Sequence, residues 1–423
     1  MSFFSLGLSP TLLDALRAQG FSTPTAVQEL AIPAALQGRD VLGCAQTGSG
    51  KTLAFVLPLL QHLQTARRES PRRAAVLILV PTRELAAQVG ETIVKLAASQ
   101  AQPPKVSIVF GGVSINPQMM GLRGGTDIVV ATPGRLLDLL DHNALSLSAV
   151  RALVLDEADR LLDLGFSDEL TRILALLPAQ RQNLFFSATF PAAVQALAQV
   201  LLRHPVRIDV LPAPQHQPDI TQRAIAVDPN RRTQLLRHLI KRHKWRRVLV
   251  FVATKHAAEI VADKLRKAGI DAEPFHGVLS QGKRTQVLAD FKAERVGVVV
   301  ATDLAGRGID IEQLPVVVNY DLPRSAVDYT HRIGRTGRAG ESGLAVSFVS
   351  ADTQAHWQLI EKRQGLKFSL EQIEGFEPLL APHSPPSSAE SARLPDPTGG
   401  IKGKRLSKKD KLRAAAKPQS TNS

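Results

Sequence analysis

The chain has 423 residues, and 52 Lys+Arg against 38 Asp+Glu give a formal charge of +14. The length allows two or three domains with cores of their own, while 44% hydrophobic and 21% charged content excludes a collagen-like or wholly disordered chain. The single cysteine, Cys44, excludes an internal disulfide and fits a reducing compartment.

In chain order, short apolar runs alternate with longer helical patterns. The stretch 41–44 leads into a glycine-rich turn and an amphipathic pattern over 53–63. Further strand-like runs fall at 76–80, 106–110, 128–131, 152–156 and 183–187, then at 248–252, 296–301, 315–320 and 344–349. Most are apolar without alternation, the mark of strands covered on both faces of a parallel sheet. Helical patterns at 84–99, 192–203, 255–268 and 281–292 separate them, which predicts an α/β fold of doubly wound parallel sheets. The alternation breaks once, at 211–218, where three prolines fall in eight residues. We therefore expect a first domain over 1–210, a linker over 211–220, a second domain over 221–370 and a tail over 371–423. That tail is Ser/Pro-rich and then basic, with eight Lys and Arg against Asp410 alone between 402 and 417, and disorder is expected for it.

Two motifs carry nucleotide chemistry. Ala45-Gln-Thr-Gly-Ser-Gly-Lys-Thr52 reads as a P-loop between strand and helix. Backbone amides of Ala45, Gln46, Thr47, Gly48, Ser49 and Gly50 would turn around phosphate oxygens, Lys51 would reach the β/γ-phosphates, and the Thr52 hydroxyl would ligate Mg2+. Asp156-Glu157 at the end of an apolar strand supplies the second half: Asp156 to hold Mg2+ largely through water, and Glu157 to orient and deprotonate the attacking water. A nucleoside triphosphate and Mg2+ are thus the expected cofactors, and these motifs leave the base open.

With Asp156-Glu157-Ala158-Asp159 in place, the chain resembles the DEAD-box RNA helicases of superfamily 2 over roughly residues 1–370. Within them it is most similar to the bacterial RhlE type, on its short N-terminus, the run 331–339 and the basic tail. The resemblance implies ATP as the nucleotide, two tandem RecA-like domains and an RNA-dependent ATPase that opens short duplexes or remodels RNA–protein complexes. An ATP-gated clamp or annealing factor is the alternative, and a DNA translocase a less favoured third. It also implies site residues. Gly20 to Gln28 is similar to an adenine-reading motif, with Phe21 stacking, Thr23 alongside and the Gln28 amide on the base edge; Phe3 corresponds to an isolated upstream aromatic. Ser187 and Thr189 would couple to Asp159 and so link the nucleotide to RNA. Pro81, Thr82, Arg83, Gly111, Gly112, Thr132, Pro133, Gly134 and Arg135 of the first domain, with Gln281, Arg284 and Thr302 of the second, would contact RNA backbone and read little sequence. Asp310 would touch the ribose. Arg335 and Arg338, near one face if helical, would act as arginine fingers, with His331 bridging the domains.

Other features are read conservatively. The run 241–247, Lys-Arg-His-Lys-Trp-Arg-Arg, is read as a solvated helix end entering the 248 strand, with Trp245 partly packed. Cys44 is read as a small core residue. No apolar run approaches the ~18 residues of a membrane span, and no basic residue precedes Arg17 to mark a signal peptide. A cytoplasmic monomer is expected, with RNA as partner, ribosome precursors or RNA-decay complexes as its context, and no membrane.

Overall fold

The structure is a computed structural model that describes residues 2–45, 48–65, 70–210, 220–306, 314–337 and 342–379. Two seven-stranded, all-parallel sheets organise it. The first contains β1 (Val41–Ala45), β2 (Val76–Leu79), β3 (Val106–Val109), β4 (Ile128–Ala131), β5 (Ala152–Leu155), β6 (Gln182–Ser187) and β7 (Val206–Val210), in the order β3-β4-β2-β5-β6-β1-β7. The second contains β8 (Ile220–Ala226), β9 (Val248–Val252), β10 (Ala272–Phe275), β11 (Val298–Thr302), β12 (Val316–Asn319), β13 (Gly343–Val349) and β14 (Leu370–Glu371), in the order β10-β11-β9-β12-β13-β8-β14. This is the doubly wound α/β arrangement expected, with helices on both faces and all strand ends of one polarity on one edge.

Side-chain alternation explains why the strands read as unbroken apolar runs. In β2, Val76 and Ile78 enter the core on one face of the sheet and Leu77 and Leu79 the core on the other. In β9, Val248, Val250 and Val252 face one core, Leu249 and Phe251 the opposite one. A strand covered twice has no polar face to show.

Four strands escaped the reading from periodicity: β7, β8, β10 and β14. Each mixes charged or polar residues into a short stretch, as in Val206-Arg-Ile-Asp-Val210 and Ala272-Glu-Pro-Phe275. Three of them, β7, β10 and β14, are edge strands with one flank open, and β8 lies next to the edge. The fold also continues past 370, the limit expected for the second domain. Glu371 accepts both Nε and Nη2 of Arg223, Phe376 packs on His238 with ring centroids 5.3 Å apart, and the Leu379 amide donates to Asp228 Oδ2 at 2.9 Å. Most of the linker, 211–219, and the tail from 380 onward lie outside the described residues.

The N-terminal segment is tied to the first lobe. A 3-10 turn over Phe3–Leu6 buries Phe3 in the core, and Ser9 donates its amide to Gln61 Oε1 at 2.7 Å while Gln61 Nε2 donates to Gly7 O at 2.8 Å. Among the described residues no helix is long and apolar enough to cross a membrane.

Candidate functional site

β1 ends at Ala45, and the chain turns through Gly48 (φ 82°) and Gly50 (φ 91°) into the helix Lys51–Thr65. Gly50 is required twice over. Its φ is left-handed, and a Cβ there would stand 2.3 Å from Gln28 Nε2 and 2.9 Å from Thr25 Oγ1. Lys51 is buried at the helix start and donates from Nζ to the Ala45 carbonyl at 2.6 Å. Thr52 follows it, and Ser49 lies in the turn. Gln46 and Thr47 lie outside the described residues.

Gln28 is buried on the first turn of the helix Ala26–Leu36, in a capping box with Thr25. Its Oε1 accepts the Thr25 amide at 3.0 Å, and its Nε2 donates to the Gly50 carbonyl at 3.0 Å. One amide therefore joins the 20–28 segment to the phosphate loop, and one N–H and one lone pair remain for a ligand. Phe21 and Thr23, on the preceding loop, are exposed.

Asp156 lies at the end of β5, buried, with Oδ1 accepting the Glu157 amide at 2.9 Å. Burial pushes its carboxyl up to about 7; Lys51 opposes the rise and Glu157 adds to it. The buried Asp156 carboxylate and the Thr52 hydroxyl on the P-loop helix are hard oxygen donors, the kind that suits Mg2+. Glu157 adopts φ 50°, ψ 52°, a left-handed backbone at the N-cap of the helix Ala158–Asp163, which a side chain with a Cβ occupies only at a cost of about 1–2 kcal/mol. The backbone sets the direction in which the side chain leaves the chain next to Asp156.

Asp159 is the hub of a buried cluster. Its Oδ2 accepts the Thr189 amide at 2.9 Å and the Thr189 hydroxyl at 2.7 Å. Its own amide donates to Ser187 Oγ at 3.2 Å, and Ser187 Oγ donates to the Thr189 carbonyl at 2.8 Å. The helix that follows β5 and the turn that follows β6 are thus joined, thirty positions apart, through one carboxylate.

The segments at 81–86, 111–113 and 132–135 converge at the ends of β2, β3 and β4. Pro81 precedes Thr82, whose hydroxyl caps the helix Arg83–Ala97 by accepting the Leu85 amide. Arg83 is half-buried, and its guanidinium lies against Gly112 (φ 75°), where any Cβ would overlap it. Thr132 Oγ1 accepts the Gly111 amide at 3.3 Å, and Pro133 and Gly134 open the helix Pro133–Asp141. Arg135 departs from the expectation of a phosphate partner. It is buried, donates from Nη2 to the Val113 carbonyl at 2.6 Å and pairs with Asp138 at 3.4 Å, so it braces the 111–113 loop from beneath.

In the second lobe, Arg284 also has a protein partner. It is buried on the helix Gln281–Lys292, lies 5.1 Å from the Phe275 ring centroid, and pairs with Glu84 of the first lobe at 2.6 Å. Thr302 ends β11. The next residue, Asp303, receives both Nε (2.6 Å) and Nη2 (2.8 Å) of Arg332. Arg332 also donates to Asn319 Oδ1 at 3.0 Å and the Asp321 carbonyl at 2.6 Å, with its guanidinium 5.0 Å from the Phe251 ring centroid. Sequence reasoning passed over Arg332, Asp303 and Asn319. The available signal was an Asn within the apolar run 315–320 and an Arg beside His331.

Arg335 does not lie on a helix. The helix Ala326–Ile333 stops at Gly334, its C-cap, and Arg335 lies in the turn beyond, with its carbonyl accepting the Leu314 amide at 3.1 Å. Glycine ends the helix because it lacks the side chain that would favour another turn. Arg335 is buried and His331 half-buried on the last turn. Arg338 and Asp310 lie outside the described residues.

A family model described as DEAD/DEAH box helicase matches residues 25–197, and one described as Helicase conserved C-terminal domain matches 231–340. The "ATP-dependent rRNA helicase RRP3" of Pyricularia oryzae is 42% identical over 85% of this chain, which spans 66% of that protein's length. The "ATP-dependent rRNA helicase rrp3" of Emericella nidulans is 37% identical over 96% of this chain and 87% of its own. Among solved structures, S. cerevisiae Dbp5 bound to RNA and ADP BeF3 superposes with a TM-score of 0.77 at 30% identity, covering 88% of this chain and 95% of that one.

Proposed function

The chain belongs to the DEAD/DEAH box helicase family of ATP-dependent RNA helicases, and from that footing we propose that it hydrolyses ATP when its two lobes close on single-stranded RNA, opening short duplexes or remodelling RNA–protein complexes. Supporting this reading is the buried pair Arg284–Glu84 at 2.6 Å. It joins the lobes through a residue of the 81–86 segment, next to Arg83, so lobe closure and the surface offered to RNA share one contact.

In the proposed mechanism Phe21 and Gln28 hold adenine, and Gln28 passes its occupancy to the phosphate loop through Gly50. Lys51 leaves the Ala45 carbonyl for the β/γ-phosphates. Thr52 and Asp156 would hold Mg2+, which supplies charge neutralisation on the phosphates. Glu157 takes the proton of the attacking water. Arg335, and Arg338 with it, meets the charge that develops on the γ-phosphoryl group, and Asp310 the ribose. Asp159, Ser187 and Thr189 transmit the state of the site to the RNA surface of Thr82, Arg83, Gly111, Gly112 and Thr132, with Gln281 and Thr302 opposite. Arg135 and Arg284 act there by positioning. ATP and RNA both favour the closed state, so each strengthens binding of the other.

Given the rRNA helicases among its relatives, we extend the proposal to ribosomal RNA precursors as substrate, with the protein a cytoplasmic monomer. The bacterial RhlE type rests on the sequence features alone. The test is ATP turnover with and without RNA or DNA, alongside strand displacement. Turnover indifferent to RNA, or normal in Lys51→Ala, would sink the reading. ATP-dependent RNA binding without displacement would replace unwinding by clamping.

A further inference from the structure

The helix Arg232–Arg242 and the turn after it carry a charge pattern the catalytic reading leaves unused. From Pro229 to Ala258 the sequence has no carboxylate. Arg232 is taken up by Asp321 and Ser350, and Arg231 by backbone carbonyls and Phe376. Among the described residues no ion pair or side-chain hydrogen bond engages Lys241, Arg242, Lys244, Arg246 or Arg247. The first four are exposed and Arg247 is half-buried.

An aromatic platform stands among these cations. Trp245 packs one side against the second lobe's core. His243, exposed, stacks on it with ring centroids 5.6 Å apart and planes 18° from parallel. The imidazole is exposed, and the partly packed indole backs it on one side. Lys244 (φ 52°) and Arg247 (φ 54°) sit in left-handed backbone where glycine would cost less. Held strain of this kind accompanies functional surfaces. Arg246 and Arg247 also line a cavity of about 310 Å³ with Pro315 and Gly337; Glu294, at its rim, is the one described carboxylate there.

We propose that this surface is a second RNA-binding site, for single-stranded RNA outside the catalytic track. A base stacks on the His243–Trp245 pair, and flanking phosphates lie on Lys241, Arg242, Lys244 and Arg246. A rigid π face within a cationic groove is how proteins hold single strands without reading sequence. The surface lies at the N-terminal end of β9, whereas Gln281 lies beyond the opposite end of β10 and Thr302 at the opposite end of β11. A five-residue strand separates the two edges by about 13 Å. A strand can therefore rest here while the catalytic cleft is open, raising the local concentration of RNA before closure. The inference rests on the reading of the protein as an RNA-dependent ATPase.

The experiment uses the full chain without nucleotide. Trp357 is 1% exposed, so quenching of tryptophan emission by oligouridylate reports Trp245. We expect quenching in the unaltered protein, about tenfold weaker binding in His243→Ala, the loss expected for one stacked base, and recovery in His243→Phe. In the double variant Lys244→Gln/Arg246→Gln, the slope of log affinity against log salt should fall by about 1.4. ATP turnover at saturating RNA should stay unchanged in all three. If RNA stimulates turnover yet neither quenching nor salt slope differs between the variants and the unaltered protein, the second site is refuted while the ATPase reading stands. If RNA does not stimulate the unaltered protein, the ATPase reading has failed instead. Quenching by polyglutamate and not by oligouridylate would overturn the site as one for RNA and assign it to an acidic protein partner.

Discussion

Glu157 makes a measurable trade between stability and turnover. Its backbone is left-handed at φ 50°, ψ 52°, which costs about 1–2 kcal/mol for a residue with a Cβ and little for glycine. Its side chain caps nothing, since no side-chain hydrogen bond closes the helix Ala158–Asp163. Replacing it by glycine therefore removes strain and no capping hydrogen bond. Part of the gain is offset by the greater freedom of glycine in the unfolded chain, leaving about 1 kcal/mol. For a lobe of this size that raises the melting temperature by about 2–4 °C. Glu157→Gln is the control: it removes the same charge beside Asp156 but keeps the strained backbone. Calorimetry of the nucleotide-free protein should place Glu157→Gly about 2–4 °C above Glu157→Gln, with RNA-stimulated turnover lost in both. If the glycine variant melts at or below the glutamine variant, the strain argument is wrong.

Three further outcomes follow from the same geometry. Asp156 has its carboxyl raised to about 7, so its neutral form is the one the fold prefers; the associated stability is full below about pH 4 and is lost as pH rises to about 7. Melting of metal-free protein across that window should show the decline, and Asp156→Asn should flatten it; an unchanged slope would remove the burial argument. Arg332→Ala takes the guanidinium from the buried Asn319 and the half-buried Asp303, and denaturant unfolding should report a loss of about 3–5 kcal/mol from the second lobe; a loss under 1 kcal/mol would mean the cluster contributes little. Glu84→Gln or Arg284→Gln should lower RNA-saturated turnover about tenfold, equivalent to about 1.4 kcal/mol, with the exchange Glu84→Arg/Arg284→Glu recovering part of it; single variants that turn over normally would show that lobe closure does not depend on this pair.

The sequence by itself determined the fold class and the nucleotide motifs, because both are local. A strand buried on two faces has to be apolar at every position, as at 76–79 and 248–252. A phosphate loop needs glycine and lysine at fixed short spacing from one strand and one helix. Asp156 and Glu157 were legible for the same reason: they end an apolar strand. Only the tertiary structure decided which polar groups meet. Gln28 reaches Gly50, Arg284 reaches Glu84 two hundred positions away, and Arg332 gathers Asp303, Asn319 and Asp321. Nothing in periodicity distinguishes a buried arginine with four acceptors from an exposed one facing RNA, since the residue type is the same and its partners are set by chain crossings. The strands at and next to the sheet edges were missed because partly covered strands carry polar and charged residues, as β7 and β8 do. The turn at Arg335 was missed because a helix end depends on what Gly334 and Leu314 do together.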